Sequence, residues 1–422
     1  MAEEISQEEK AVREDLIAVL KKHYGIEAAD SDIQTLEGGH INYTFRVGNK
    51  VFQRINTTVF KKPGELMENF TGVTTYMKQK VEDKGGDPKR ECIYVIPTTG
   101  GSSYCVSDKG NSWRADNYLG GTREPNPRDL EDIYRVGRGF GKLVSLLDGY
   151  PVEGLHETIP HFHDTPKRFH AFKHYIDRDL SRRRIGHKER ATAEGKEDSY
   201  LNQLIRFYIS QEEYCSFITR EVEAGRIPQR VTHNDTKFKN VLFDTEDDSI
   251  EIPIDYDTVM LGTVLADYGD MIRSLCNPAD EEPEDIRDVH LWLESFEAVT
   301  RGWLDGTEGK LKPEEILNLH RAPRTLTVEC GIRFLGDYIN GDTYFKVKNP
   351  DDNLLRARSQ MRLACDMERK EEQMKEIIQR LALERGFITQ EDIDKYEEQQ
   401  TQSTAQKNKR SSLVPDEDLL GG

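Results

Sequence analysis

Apolar positions along this chain recur with two different spacings, and the change from one to the other divides it. Val12, Leu16, Val19 and Leu20 fall at helical spacing within Glu8 to His23. Alternation takes over in Thr35-Leu-Glu-Gly-Gly-His-Ile-Asn-Tyr-Thr-Phe-Arg-Val47, where Gly38 and Gly39 permit a tight turn between two strands. Asn49-Lys50 reads as a turn and Val51-Phe-Gln-Arg-Ile55 as the next strand, with Phe52 and Arg54 on one face. Pro63 suits the first turn of a helix that runs on through Leu66, Met67 and Phe70. A loop at 84–90 precedes two expected strands, near Ile93–Ile96 and Ser103–Val106, and Trp113–Leu119 forms a third that stops at Gly120-Gly121. Beyond it helical spacing dominates: 128–147, 286–304, 314–340 and 361–383. The prediction is an α+β protein with a small β-rich N-terminal lobe (1–118) and a larger, mainly helical one (119–385).

One β-hairpin interrupts the helical part, and it carries the chemistry. Val231-Thr-His-Asn-Asp-Thr-Lys-Phe-Lys-Asn240 is followed by the apolar run Val241-Leu-Phe, a turn at 244–249, and Ile250-Glu-Ile-Pro-Ile254 ending on Asp255. Asp235, Asn240 and Asp255 therefore meet at one mouth. An Asp, an Asn five residues on and a further Asp fifteen after that form the set that phosphoryl transfer to a hydroxyl uses in a kinase-like fold. Asp235 would orient and deprotonate the acceptor, Asn240 and Asp255 would hold Mg²⁺ against the ATP phosphates, and Lys237 would reach the transferring phosphate. His233 is expected to pack under the loop and bond backbone or Asp255. Asp267 and Asp270 are expected to brace the loop that bears Asp255.

Composition narrows the partners. The formal net charge is −18, so the basic stretch Arg178–Arg190 reads as a solvated helix face and nucleic acid is not an expected partner. No apolar run reaches membrane-spanning length, and the acidic Met-Ala-Glu-Glu start lacks a signal-peptide pattern. Six scattered cysteines suit a reducing compartment, and a cytoplasmic location is expected. His156, His161 and His163 lie close in sequence, but no Cys or second cluster completes a metal-ligand set. From 386 the core pattern fades, and 386–422 reads as a charged, disordered tail.

Over residues 15 to 385 the chain resembles the aminoglycoside phosphotransferase and choline kinase superfamily, which shares its fold with protein kinases. Within it, the chain looks most like the N-acetylhexosamine 1-kinases. That narrower likeness rests on Gly38-Gly-His-Ile-Asn42, Gln53-Arg-Ile-Asn56, Leu155-His-Glu-Thr-Ile-Pro160, Thr165-Pro-Lys-Arg-Phe169, Thr232–Lys237 and Arg333-Phe-Leu-Gly-Asp-Tyr338.

The resemblance implies a bilobal protein-kinase-like fold, with ATP and Mg²⁺ as cofactors. Gly38 and Gly39 would lie near the phosphates. Arg54 would stand where protein kinases place a phosphate-pairing Lys, with Glu68 as its ion partner. Asp235, Lys237, Asn240 and Asp255 would take the roles given above, and Arg333 and His40 would hold the sugar. The implied reaction phosphorylates the anomeric hydroxyl of N-acetylglucosamine or N-acetylgalactosamine in a monomer or weak dimer. A kinase of choline, ethanolamine or an aminoglycoside, and a non-catalytic pseudokinase-like binding protein, remain as alternatives.

Overall fold

The computed structural model describes residues 6–36, 42–196 and 199–411, with backbone alone for 402–411. Among these described residues ten strands form three sheets. Five are N-terminal: β1 (Ile33–Thr35), β2 (Tyr43–Val47), β3 (Lys50–Arg54), β4 (Tyr104–Val106) and β5 (Ser112–Asn117). They pair antiparallel in the order β1-β2-β3-β5-β4. Phe45, Phe52 and Ala115 lie in register across this sheet. On that face they meet Val12, Leu16, Val19 and Leu20 of the Gln7–Val19 helix, together with Trp113, in a small separate core. Asp15 on the helix is buried but not orphaned. It accepts from Ser107 Oγ, Asn111 Nδ2 and Trp113 Nε1, which ties the helix to the β4–β5 hairpin.

The Pro63–Asp83 helix falls within the segment read as the small lobe. Its buried face, including Leu66, Phe70 and Met77, nevertheless joins the large C-terminal core. That core surrounds two further small sheets. β6 (Thr122–Arg123), β8 (Val241–Asp244) and β9 (Glu251–Pro253) pair in the order β6-β8-β9, and β7 (Arg230–Thr232) pairs with β10 (Met260–Gly262). Beneath them the Leu130–Leu146 and Leu293–Thr307 helices cross through glycines from both sides. A Cβ at Gly137 would meet the Val299 carbonyl. One at Gly302 would meet the Tyr134 carbonyl, and Gly141 and Gly306 are hemmed in the same way by Trp303 and Arg138. Only glycine allows backbones to approach this closely.

The α+β expectation holds: an antiparallel five-stranded sheet followed by a mostly helical remainder. Two local expectations fail. Ile93–Ile96 is not a strand; Val95 alone bridges Asp116, and Pro97 interrupts any longer ladder. Within the segment read as a tail, 386–422, the part Gln390–Ser411 forms a helix and Ile388, Ile393 and Tyr396 are buried against the large core, while 412–422 lie outside the described residues. All six cysteines are free thiols, and among the described residues no helix is long and apolar enough to cross a membrane.

Candidate active site

β7 delivers the chain into a tightly held loop. Asn234 has a left-handed backbone (φ 63°), which costs energy for a residue with a Cβ and needs support from its surroundings. The support comes mainly from Asp267. Its two carboxylate oxygens accept the backbone N–H groups of His233 (2.9 Å) and Asn234 (2.7 Å), and its carbonyl accepts Thr236 Oγ1 (2.6 Å). Asp267 thus braces the loop bearing Asp235, not the loop bearing Asp255, while Asp270 pairs with Arg273 at 2.7 Å. The Asn234 amide donates to the carbonyls of Thr232 and Thr258, closing the turn from within. His233 does lie under the loop. Its Nε2 faces the Ile254 carbonyl at 2.9 Å, and its ring packs on Phe140 and Tyr256.

Asp235 follows, with its side chain 27 % exposed. Lys237 Nζ donates to its Oδ2 at 2.9 Å, and Asn240 Nδ2 donates to the same oxygen at 2.9 Å and to the Asp235 carbonyl at 2.8 Å. Burial works against the Asp235 charge, but the nearby Lys237 ammonium, with His233 and Asn240, holds the carboxyl below its ordinary value. For Lys237 burial likewise opposes the charge, and Asp235 and Asp255 more than offset it, keeping the ammonium protonated. The Asp235 carboxylate is therefore ionised at neutral pH.

The β8–β9 hairpin brings Asp255 alongside. The Ile254 N–H donates to the Asn240 carbonyl at 2.9 Å, so the two segments are joined where their functional side chains emerge. Asp255 also has a left-handed backbone (φ 66°). Burial, then the nearby Asp257 and Asp235 carboxylates, push its carboxyl well above the ordinary range. Among the described residues no three His, Cys, Asp or Glu side chains gather into a metal cage. Mg²⁺ does not require one, because it takes one or two carboxylates and completes its shell with phosphate and water oxygens. Asn240 has its amide nitrogen committed and its Oδ1 available, and Asp255 sits in an excess of negative charge. This all-oxygen donor set fits a hard divalent cation.

On the small-lobe side the structure separates two residues that the sequence reading joined. Arg54 shares the face of Phe52, and that face packs against the Gln7–Val19 helix. Arg54 lies over the Tyr43 ring and 3.7 Å from Glu8, while Glu68 bonds His156 Nε2 at 2.6 Å. No Arg54–Glu68 pair forms. The opposite face of β3 carries Gln53, whose register partner on β5 is Arg114. Arg114 is 1 % exposed and bonds Asp257, Gln53 and, at 3.1 Å, Asp116, with its guanidinium over the Phe70 ring. Asp257 also accepts Asn42 Nδ2 at 2.6 Å. The buried small-lobe cation that reaches toward the Asp255 loop is therefore Arg114. Gly38, Gly39 and His40 lie outside the described residues.

The other wall of the site comes from the helices Thr165–Arg178 and Ala322–Asn340. Glu329, Arg333 and Asp337 follow one another along the second helix but have separate partners. Glu329 takes His163 and Thr165, and Asp337 caps the next turn by accepting the N–H groups of Thr343, Tyr344 and Phe345. Arg333 lies within 6 Å of the Phe162, Tyr344 and Phe345 rings, and among the described residues its guanidinium has no hydrogen-bond or ion-pair partner. Arg168 is close enough that burial and the Arg333 charge together lower its pKa.

Sequence reasoning gave no role to Arg114 or Asp257, and weighed His163 only as part of an incomplete metal-ligand set. Arg114 and Asp116 alternate with Trp113 and Ala115 along β5, a pattern that in sequence reads as the solvent side of a strand, so nothing local marked them as buried.

The model of the phosphotransferase enzyme family, APH, matches residues 110–293, the span from β5 to the start of the Leu293–Thr307 helix. Solved structures show the same fold. A microcompartment-associated aminopropanol kinase superposes with a TM-score of 0.55 at 14% identity, covering 87% of this chain and 98% of that one. An amicoumacin kinase in complex with AMP-PNP, Ca²⁺ and Ami gives 0.53 at 11% identity, covering 85% and 96%. An ethanolamine kinase from Plasmodium vivax gives 0.51 at 14% identity, covering 85% and 90%.

Proposed function

We propose that this chain is an ATP-dependent small-molecule phosphotransferase, and that its acceptor is the anomeric hydroxyl of an N-acetylhexosamine. The observation that carries the first half is the Asp235 carboxylate held at 2.9 Å by both Lys237 and Asn240, next to Asp255. In this reading Asp235 orients the acceptor hydroxyl and takes its proton as the oxygen attacks the γ-phosphorus. Mg²⁺, held by Asn240 and Asp255, would neutralise charge on the phosphate oxygens. Lys237 stabilises the transferring group, and Arg114 keeps the Asp255 loop and the nucleotide-side sheet in register. The anomeric hydroxyl is more acidic than an ordinary alcohol, so a carboxylate kept ionised suffices as the base.

The acceptor assignment is supported by charge. A choline-like cation needs acids or an aromatic cage free of competing cations. Here the aromatic cluster of Phe162, Tyr344 and Phe345 already holds the Arg333 guanidinium, with Arg168 beside it. An uncharged polyol offers hydroxyl acceptors to an arginine and C–H faces to the rings. The competing reading, an amino-alcohol kinase, draws on the aminopropanol and ethanolamine kinases that share the fold.

The test is Mg²⁺-dependent ATP consumption against N-acetylglucosamine, N-acetylgalactosamine, their unacetylated parents, ethanolamine, choline and kanamycin, alongside Asp235→Asn. A sugar 1-phosphate whose formation drops about 10²- to 10⁴-fold in the variant is the expected result. Turnover with amino alcohols alone would keep the catalytic roles and overturn the acceptor.

A further inference from the structure

His163 lies in the stretch between the Leu130–Leu146 and Thr165–Arg178 helices, outside the set of residues that touch nucleotide or acceptor in the scheme above. Its side chain is 14 % exposed, and both ring nitrogens face acceptors. Nδ1 lies 2.8 Å from Glu329 Oε1, and Nε2 lies 3.1 Å from the carbonyl oxygen of Asn234. Neither partner has a proton to give: one is a carboxylate, the other a peptide carbonyl. A neutral imidazole carries one N–H and would leave one contact as lone pair against lone pair. An imidazolium satisfies both. Glu329 is itself fixed, 1 % exposed, with its second oxygen accepting Thr165 Oγ1 at 2.6 Å.

The acceptor on the loop side matters because of its position in the chain. The Asn234 carbonyl belongs to the peptide that leads into Asp235, and Asn234 is in the left-handed region. Asp267 grips the N–H on the other side of the same residue at 2.7 Å. The strained residue is thus clamped at both of its peptide units, by an anion on the N–H and a cation on the carbonyl, and the next side chain along is the base.

We propose that His163 is a positioning residue held as an imidazolium, which together with Glu329 clamps the Asn234–Asp235 peptide and so aims the Asp235 carboxylate. Burial opposes the Glu329 charge, but the ring, Thr165 and Arg168 hold its carboxyl below the ordinary value; the charge on His163 rests on that carboxylate together with the hydrogen-bond geometry, and the consequence for turnover rests on the phosphotransferase reading. The surroundings agree with the assignment. Burial opposes a charged ring, but Glu329 on one helix and Asp270 on the Val264–Leu275 helix override it and raise the imidazole pKa above its ordinary value. Asp267 faces the ring from the same helix, while the cations on these acids are Arg168 and Arg333 near Glu329 and Arg273 paired with Asp270.

Two measurements on the full chain test this. The first is ¹⁵N NMR with ring-labelled histidine, the His163 signal being assigned by its loss in His163→Gln or, should that variant not fold, by its displacement in Glu329→Gln. Both nitrogens should carry protons from about pH 6 to about pH 8, well past the ordinary histidine midpoint of about 6.5. A singly protonated ring at neutral pH overturns the proposal, and this measurement needs no substrate. The second is kinetic. In Glu329→Gln the ring should lose its proton as pH rises, so kcat should fall about 10- to 100-fold on the alkaline side, with the KM for ATP within about twofold and much of the activity recovered in acid. A loss equal at every pH, or one confined to KM, would mean that Glu329 and His163 only hold the fold together and would overturn the positioning role. If the wild type turns over none of the acceptors tested, the phosphotransferase reading is what fails, and the NMR result alone decides the charge on His163.

Discussion

Replacing Arg114 with Met removes a buried cation while keeping much of its volume, and the effect should depend on pH in a definite direction. Arg114 bonds Asp116, Asp257 and Gln53 and lies 4.2 Å from the centre of the Phe70 ring. Asp257 keeps a second donor in Asn42, but Asp116 does not: its Oδ1 is buried without a hydrogen-bond partner. Burial already raises Asp116 to about 6 even with the guanidinium pulling it down. A carboxyl whose pKa is higher folded than unfolded costs stability as pH rises from the unfolded value toward the folded one. At about 1.4 kcal/mol per unit, that is about 3 kcal/mol in the wild type above pH 6. Without Arg114 the folded pKa rises further and the penalty grows over a wider window. At about pH 4.5, where folded Asp116 is protonated in both proteins, the variant should lose only about 1–2 kcal/mol for its hydrogen bonds. At about pH 8 the loss should reach about 3–5 kcal/mol, the cost of a buried charge left unpaired. Urea unfolding of both proteins at the two pH values measures the difference directly. A gap that stays constant, or narrows as pH rises, would refute the reasoning.

Other outcomes follow from contacts already described. Asp267→Ala strips two backbone N–H groups of their acceptor beside Asp235, and turnover should fall at least about 10-fold, with nucleotide affinity by calorimetry little changed. Gly302→Ala would ordinarily favour a helix by about 1 kcal/mol, but here the new methyl strikes the Tyr134 carbonyl, so chemical denaturation should show a net loss of about 1–3 kcal/mol. Tyr396→Ala should cost about 2–4 kcal/mol through lost packing and the lost bond to Asn318, and an unchanged melting temperature would place the C-terminal helix outside the cooperative unit.

The parts of the site legible in the sequence are those whose geometry is local. Asp235, Lys237 and Asn240 span six positions of one loop, and Asp255 ends a hairpin whose strands alternate visibly, so order and spacing alone bring them together. Arg54 shows where local reasoning stops. Strand alternation correctly put it on the face of Phe52, but which face meets the cleft is decided by the docking of Val12 and Leu16 on that side of the sheet. That is a long-range packing choice, and it passes the cleft-facing position to Gln53 and Arg114. The four-residue spacing of Glu329, Arg333 and Asp337 was equally readable, yet the partners that separate their roles come from the 160s and 340s. The C-terminal helix escaped notice because three buried side chains, Ile388, Ile393 and Tyr396, are a small minority among charges, and their destination is set by helices far back in the chain.

Asp257 is two residues past Asp255 in the large lobe, and both donors that satisfy its carboxylate, Asn42 and Arg114, come from the small lobe. If the chain binds nucleotide as proposed, a swing that parted the lobes to exchange it would pull both donors away at once, baring a carboxylate that then needs water. The resting position of the two halves is thereby written into the charge balance of the loop that would hold the metal. In that reading a solvent or ionic condition that favours a bare carboxylate would favour an open molecule, and salt would speed nucleotide exchange.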